Sequence, residues 1–343
     1  MTAAPTPRVK LWRDYADFLA DHFEGKMQKV SVNLGLSCPN RDGTIGRGGC
    51  IYCNNSSFAP SYCASASSVT AQLEEGIRFF ARKYPRMRYL AYFQAYTSTH
   101  ARDVDQLMTL YREALAVPGV EGIIIYTRPD CISEPLLDAL AELPWVMMEY
   151  GAETSHDATL RLINRCHTWA QVERAVRLTA ARGIPVGLHL IMGLPGESRA
   201  DMLDTIEAVN ALPVSTVKLH QLQVVGGTRL AAEVEAGRMA LSITDPDDYA
   251  ALCAEIVGRL RPDIAIERFV SQSPPGLLIA PRWGLKNYQF TPLVERRLRN
   301  AMRSCARQSF DLQVGTRHGA STQAHDVEFS PQLAAKSPFN NFS

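Results

Sequence analysis

This 343-residue chain lacks long hydrophobic runs, a secretion signal and an excess of charge of either sign. No stretch approaches the roughly 18 consecutive apolar residues that a membrane span needs, so we expect no membrane partner. The amino terminus does not have the basic-then-apolar layout of a signal peptide, which favours a cytoplasmic protein. The formal net charge of +1 gives no global electrostatic reason to expect nucleic-acid binding.

The chain has eight cysteines without a secretion signal, so we expect metal-binding or catalytic thiols in a reducing compartment. A hydrophobic content of 46% is sufficient for a substantial core. The length allows one large α/β barrel domain with additions, or two ordinary domains.

Three cysteines lie close together in residues 38–53, and glycines fill much of the loop between the first two. Three thiolates are one short of a closed zinc site and one short of a fully ligated [4Fe–4S] cluster. A cluster with one open iron can bind a small molecule, so the loop favours a reactive cluster. The alternative is a zinc site completed by Cys63. The cysteines are Cys38, Cys50 and Cys53, and the glycines are Gly43, Gly46, Gly48 and Gly49.

Short apolar runs alternate with amphipathic segments, which predicts parallel strands joined by helical crossovers. The candidate strands are Val30–Leu34, Tyr89–Phe93, Gly122–Tyr126, Val146–Tyr150, Val186–Ile191 and Val217–Leu222. Six such units predict an α/β fold, a partial (β/α)6 TIM-like barrel. In that geometry the chemistry lies at the carboxyl ends of the strands, and the cysteine loop follows the first strand.

The predicted organisation has four parts. Residues 1–28 form an amino-terminal extension, and residues 29–225 form the core barrel. Residues 226–307 form a small α+β extension, with a helix at Asp247–Leu260 and short strands at Ile264–Val270 and Leu277–Ala280. Residues 308–343 are polar without clear periodicity, which predicts a loosely ordered tail.

Several motifs, in the same order along the chain, carry a resemblance to a known family. They include Cys-Pro-Asn-Arg-Asp-Gly-Thr at 38–44, Thr-Arg-Pro-Asp-Cys at 127–131, Asn-Arg-Cys-His-Thr at 164–168 and Val-Lys-Leu-His-Gln-Leu at 217–222. The chain resembles radical S-adenosylmethionine (radical SAM) enzymes. More narrowly, it resembles the YhcC/YtqA-type family, which is related to the catalytic subunit of Elongator and to the anaerobic coproporphyrinogen oxidases. That family shares the long spacing between the first two cysteines.

The resemblance implies a [4Fe–4S] cluster held by Cys38, Cys50 and Cys53, with S-adenosyl-L-methionine bound at the open iron. It also implies an electron donor such as flavodoxin or ferredoxin. One electron through the cluster would cleave S-adenosylmethionine to methionine and a 5′-deoxyadenosyl radical.

The resemblance also implies cofactor-binding residues. Arg165 is expected to bind the methionine carboxylate, with Glu153 or Glu149 as a second polar contact. Tyr52 is expected to cover the adenine, or else to pack. The remaining candidates are Gln94 near the methionine amino group, Thr127 at the ribose, and Gly187 and Gly193 beside the adenine.

The resemblance implies less about the catalytic residues and the substrate than about the cofactor. His220 and His189 are the candidate catalytic residues, although a lone histidine in a strand is often a satisfied core residue. Kinship favours a tRNA base, the wobble uridine, as the target. A small metabolite is the alternative substrate, and a non-catalytic metal-binding protein is a distant third.

Two basic clusters either meet RNA phosphates or form solvated faces. The carboxyl-terminal cluster comprises Arg296, Arg297, Arg299, Arg303 and Arg307, and the other comprises Arg78, Arg82, Lys83, Arg86 and Arg88.

Overall fold

The fold is an open parallel sheet surrounded by helices. The computed structural model describes residues 10–54, 60, 62–63, 68–82, 86–101 and 103–315. Seven parallel strands lie in the order β1-β2-β3-β4-β5-β6-β8. They are β1 (Met27–Val32), β2 (Arg88–Phe93), β3 (Val120–Thr127), β4 (Val146–Glu153), β5 (Val186–Met192), β6 (Thr216–Gln221) and β8 (Ala265–Arg268). A separate antiparallel pair consists of β7 (Val224–Val225) and β9 (Leu278–Ala280).

Eleven helices precede, connect and follow the strands in the described residues. They are α1 (Tyr15–Ala20), α2 (Pro39–Asp42), α3 (Val69–Ala81), α4 (Val104–Leu115), α5 (Glu134–Ala141), α6 (Asp157–Leu162), α7 (Trp169–Ala180), α8 (Arg199–Asn210), α9 (Arg229–Glu235), α10 (Pro246–Arg259) and α11 (Asn287–Gly315). Side-chain caps at Ser68, Asp103 and Ser198 satisfy backbone N–H groups at the first turn of α3, α4 and α8.

The sheet curls into a half-barrel whose two edge strands approach each other. Lys29 on β1 and Glu267 on β8 form an ion pair of 2.7 Å, although these strands lie at opposite edges of the sheet order. All residues of β4 and β5 are buried, because the helices cover one face and the barrel interior covers the other. The predicted α/β half-barrel is therefore confirmed.

Two predicted boundaries differ from the structure. The barrel has seven strands rather than six, because β8, within the predicted 226–307 extension, pairs in parallel with β6. The short strand predicted at Ile264–Val270 is present, but a four-residue strand whose second half is charged does not indicate from sequence that it joins the barrel sheet. Helix α11 continues past residue 307 to Gly315, and residues 316–343 of the predicted tail lie outside the described residues.

In the described part of the chain, no helix combines the length and the apolar character needed to cross a bilayer.

Candidate active site

A cavity of about 160 Å³ opens at the carboxyl ends of the strands. This is the end of a βα barrel at which catalytic groups collect. The cavity brings together nine of the predicted residues, which are Cys38, Cys50, Tyr52, Cys53, Gln94, Glu153, Arg165, His189 and His220.

The cysteine loop folds around the side chain of Arg41. Helix α2 starts directly after Cys38 and ends at Gly43, whose φ of 92° is left-handed. Gly49 also has a positive φ of 73°, and a Cβ there would lie 2.9 Å from Nε of Arg41. Arg41 donates a hydrogen bond of 2.7 Å to the carbonyl of Cys53. Glycine at position 49 is therefore needed both for the backbone conformation and for the close approach of Arg41.

Positive and polar groups surround the loop thiols. Nδ2 of Asn40 and Nη1 of Arg165 each lie 3.7 Å from Sγ of Cys50. Burial raises the pKa of the Cys53 thiol, and Arg41 opposes that shift. The loop thiols therefore lie among hydrogen-bond donors and two guanidinium groups.

Cys63 lies apart from these three thiols. Its Sγ donates a hydrogen bond of 3.2 Å to the carbonyl of Ser31, and burial raises its pKa to about 11. Among the described residues, no three His, Cys, Asp or Glu side chains converge on a single metal ion. A cubane cluster takes one thiolate per iron, so its ligands need not converge as zinc ligands do. The arrangement fits a cluster better than a zinc site completed by Cys63.

Four buried polar atoms of lining residues have no hydrogen-bond partner within the described structure. They are Nε of Arg165, Nε of Arg268, Nη1 of Arg128 and Oγ1 of Thr97. Buried donors are nearly always satisfied, so these atoms indicate a ligand rich in acceptors. S-adenosylmethionine carries a carboxylate and ribose hydroxyls, and the lining residues fit it.

Arg165 is held by two neighbours on β4. Its Nη2 donates a hydrogen bond of 2.7 Å to the carbonyl of Gly151 and lies 3.3 Å from Oε1 of Glu153. Burial raises the pKa of Glu153, while Arg165 and the hydroxyl of Tyr52 lower it. The backbone at Glu153 has a φ of 67°, a conformation rare for a residue with a side chain. Glu153, Arg165 and Tyr52 thus form one cluster in the cavity.

Four predicted cofactor residues do not line the cavity. Thr127 is buried, with its Oγ1 2.5 Å from that of Thr99. Gly187 lies near the amino end of β5, where a Cβ would lie 2.7 Å from Oγ1 of Thr216. Gly193 forms the turn after β5 with a φ of 83°. Glu149 is buried within the barrel interior.

Glu149 lies at the centre of a buried ionic network. Its carboxylate accepts hydrogen bonds from Lys29 (2.8 Å), Lys218 (2.9 Å), the hydroxyl of Tyr92 (2.8 Å) and Nε2 of His189 (2.8 Å). The two lysines also pair with Glu267 at 2.7 and 2.9 Å. Although burial acts in the opposite direction, Lys218 and Lys29 hold the pKa of Glu149 well below its usual range.

The two candidate histidines join this network to the cavity. The ring of His189 stacks on Tyr126 with a centroid distance of 4.6 Å, and the ring of His220 lies 5.3 Å away. Burial and the charge of Lys218 lower the pKa of His189 to about 4. Burial and the charge of Arg268 hold the pKa of His220 well below its usual range. Both rings are therefore neutral near pH 7.

Comparisons with known proteins agree with this arrangement. The Radical SAM superfamily profile matches residues 37–209, and the Radical_SAM C-terminal domain profile matches residues 214–300. The chain belongs to the radical SAM superfamily. As a member, it uses a [4Fe–4S] cluster and S-adenosylmethionine.

Several relatives are similar over most of this radical SAM chain. Protein YhcC of Escherichia coli (strain K12) is 39% identical over 278 residues, which cover 80% of this chain and 88% of that protein. YtqA, an uncharacterized protein of Bacillus subtilis (strain 168), is 34% identical over 285 residues, which cover 82% of this chain and 88% of that protein. The structure of Methanocaldococcus infernus Elp3 with an amino-terminal deletion superposes with a TM-score of 0.62 and 14% identity. That match covers 81% of this chain and 64% of that chain, and it shows the shared fold.

A shorter match involves an enzyme that acts on tRNA. The tRNA uridine(34) acetyltransferase of Methanocaldococcus infernus is 29% identical over 112 residues, which cover 32% of this chain and 21% of that protein.

Sequence reasoning missed four charged residues of this radical SAM site, namely Arg128, Arg268, Lys29 and Lys218. Arg128 is fully buried and forms a bidentate pair with Asp130 at 2.7 and 2.8 Å. Lys29 and Lys218 lie in strands of mixed polarity, each next to an apolar residue of the barrel core. A charge inside such a strand is the signal that predicts a buried partner.

Proposed function

We propose that Cys38, Cys50 and Cys53 hold the [4Fe–4S] cluster and that the protein modifies a base of tRNA, the wobble uridine. When bound, the cluster supplies the electron that cleaves S-adenosylmethionine reductively to the 5′-deoxyadenosyl radical. The protein's own residues bind the cofactor, orient it and exclude water.

The cofactor-binding roles follow from the unsatisfied donors. Arg165 has its two Nη atoms committed to Gly151, Glu153 and Cys50, and its buried Nε remains for a carboxylate oxygen. Arg128 is committed to Asp130 through Nε and Nη2, so its buried Nη1 remains as a second donor. We assign these two guanidinium groups to the acceptors of S-adenosylmethionine.

The polar character of the β6–β8 side of the cavity supports a base as substrate. In the described lining, this side presents His220, Gln221, Gln223, Arg268 and Ser271, with no carboxylate. Enzymes that act on a nucleobase commonly draw it into a pocket and bind it through hydrogen bonds to its edge. The match to a tRNA uridine(34) acetyltransferase supports the choice of tRNA and of uridine 34.

A small polar metabolite is the second candidate, and the surface charge favours it. Arg296 and Arg297 of the carboxyl-terminal basic cluster lie 2.9 and 3.6 Å from Asp247. In the other cluster, Arg88 pairs with Glu121 at 2.6 Å. Arginines that are already paired attract phosphates less, so the net basic surface available to RNA is smaller than the sequence indicates.

Mass spectrometry of tRNA nucleosides tests the proposal. A strain without the gene is complemented with the wild-type chain, with Cys50→Ala, or with the control Cys63→Ala. We expect a modified uridine to disappear in the deletion strain and to return with the wild-type chain and Cys63→Ala, but not with Cys50→Ala. An unchanged nucleoside profile in all four strains would refute tRNA modification and favour the metabolite.

A further inference from the structure

Arg268 is a cavity arginine without a carboxylate partner among the described residues. Arg128 pairs with Asp130, and Arg165 lies 3.3 Å from Glu153. In contrast, the contacts of Arg268 are with His220, whose Nδ1 lies 3.2 Å from Nη2. Its Nε is buried and has no hydrogen-bond partner in the described structure. A guanidinium with a desolvated, unsatisfied N–H indicates an acceptor that is supplied by a ligand.

The network beneath the cavity has an excess positive charge. Lys29, Lys218 and Arg268 contribute three positive charges, and Glu149 and Glu267 contribute two negative charges. The two lysines share both carboxylates, so the unbalanced charge lies with Arg268, which lines the cavity. An uncompensated charge near low-dielectric surroundings is costly, and a bound anion removes that cost.

His220 adds a second donor beside Arg268. Nη2 of Arg268 lies 3.2 Å from Nδ1 and 3.5 Å from Nε2 of this ring. In a neutral imidazole one nitrogen accepts and the other carries a proton, so the tautomer that directs its N–H to an anion on Arg268 supplies the second donor.

The neighbouring amides are held in place by bonds within the protein. Gln221 exchanges two hydrogen bonds with the backbone of Ser271, and Gln223 bonds to Ser271 and Ser273. Each amide nitrogen has two N–H donors and uses one of them in these bonds, so the second is available to an uncharged group such as a base. Arg268 is the positively charged donor on this side of the described cavity.

We propose that Arg268 and His220 form a subsite for an oxyanion of the substrate, a phosphate or a carboxylate. If the substrate is tRNA, as proposed above, the oxyanion is a phosphodiester next to the modified base. If it is a metabolite, the oxyanion is its own carboxylate or phosphate group. Arg268 enters the cavity from β8 and Arg165 is anchored to β4, three strands away in the sheet order, so the proposed subsite and the cofactor carboxylate are contacted from different strands.

Calorimetric titration with inorganic phosphate tests the subsite in the full chain with its cluster and S-adenosylmethionine bound. The variants are Arg268→Gln, Arg268→Lys and the matched control Arg282→Gln, which removes the same charge from an exposed arginine outside the cavity lining. We expect Arg268→Gln to weaken phosphate binding about 10- to 100-fold, because a charge-assisted contact is lost. Arg268→Lys should lose less, and Arg282→Gln should bind like the wild type.

Two results would overturn the subsite. One is phosphate binding that is equal in the wild type and in Arg268→Gln, or absent from both. The other is a loss of S-adenosylmethionine affinity in Arg268→Gln as large as the loss in Arg165→Ala, which would assign the anion to the cofactor. If Arg268→Gln does not retain its cluster, Arg268→Lys replaces it in the comparisons of phosphate binding and S-adenosylmethionine affinity.

A second titration identifies the source of the oxyanion. The probe is a tRNA anticodon stem-loop oligoribonucleotide, and its affinity is measured over a range of salt concentrations. If the oxyanion is an RNA phosphate, Arg268→Gln should reduce the salt slope by about 0.7–0.9, the value for one phosphate contact. An unchanged slope together with weaker phosphate binding would support the subsite and contradict tRNA as the substrate. The oxyanion subsite and the assignment of tRNA as the substrate can therefore be refuted independently of each other.

Discussion

The buried network around Glu149 leads to a quantitative prediction about charge balance. Glu149 accepts from four donors, and it neutralises the two lysines together with Glu267. Glu149→Gln would raise the excess charge of the network and place an amide N–H among donors. Removal of one partner from a buried ion pair costs about 3–5 kcal/mol. For a chain of this length, an unfolding entropy of about 2.1 cal/mol/K per residue converts that cost to a decrease in Tm of about 4–7 °C.

Lys218→Met is the matched comparison, because it removes a charge of the opposite sign from the same network. It leaves Glu149 paired with Lys29 and bonded to His189 and Tyr92, and it brings the network to charge balance. We therefore expect a smaller loss, about 1–2 kcal/mol for the missing hydrogen bonds. Circular dichroism during heating under anaerobic conditions measures both variants. A Tm for Lys218→Met as low as that of Glu149→Gln, or lower, would refute the charge-balance reasoning.

Three further predictions concern the cofactor and the surface. Arg165→Ala should retain the cluster absorbance while S-adenosylmethionine affinity, measured by equilibrium dialysis, falls about 10- to 100-fold; unchanged affinity would make Arg165 structural. Gly49→Ala should reduce iron bound per chain, because its φ of 73° and its contact with Arg41 exclude a Cβ; normal iron content would contradict that constraint. Changing Arg297, Arg299 and Arg303 together to Glu should reduce the slope of log RNA affinity against log salt concentration by about 0.7–0.9 per lost phosphate contact. RNA affinity equal to that of the wild type would show that these arginines contact only solvent.

The strand and helix rhythm was predictable from the sequence because it depends on local periodicity. Strands β2 to β5 are apolar runs between amphipathic helices, and their positions follow from that pattern. The cysteine loop was also identifiable from the sequence, because its three thiols lie close together in the chain. In these segments, neighbours in sequence determine the structure.

The charged interior was not predictable, because its contacts join distant parts of the chain. Lys29 and Glu267 are 238 residues apart, and Lys29 and Glu149 are 120 apart. Strand β8 is short and half charged, and its place in the sheet depends on these long-range contacts. Consequently, Arg268 was missed, and His220 was predicted without its partner. Glu149, which the sequence offers as an alternative to Glu153 at the cofactor, bonds to His189 in the buried network.

Cofactor cleavage by the three single cysteine variants tests the central claim most directly. The anaerobically reconstituted chain should bind about four irons and form 5′-deoxyadenosine when a reductant and S-adenosylmethionine are added. Alanine at Cys38, Cys50 or Cys53 should abolish both the cluster absorbance and the product. Cys63→Ala should retain both, because its thiol bonds to the carbonyl of Ser31, away from the cavity. Formation of 5′-deoxyadenosine by any of the three loop variants at the wild-type rate, or its loss in Cys63→Ala alone, would contradict a three-cysteine cluster at this site.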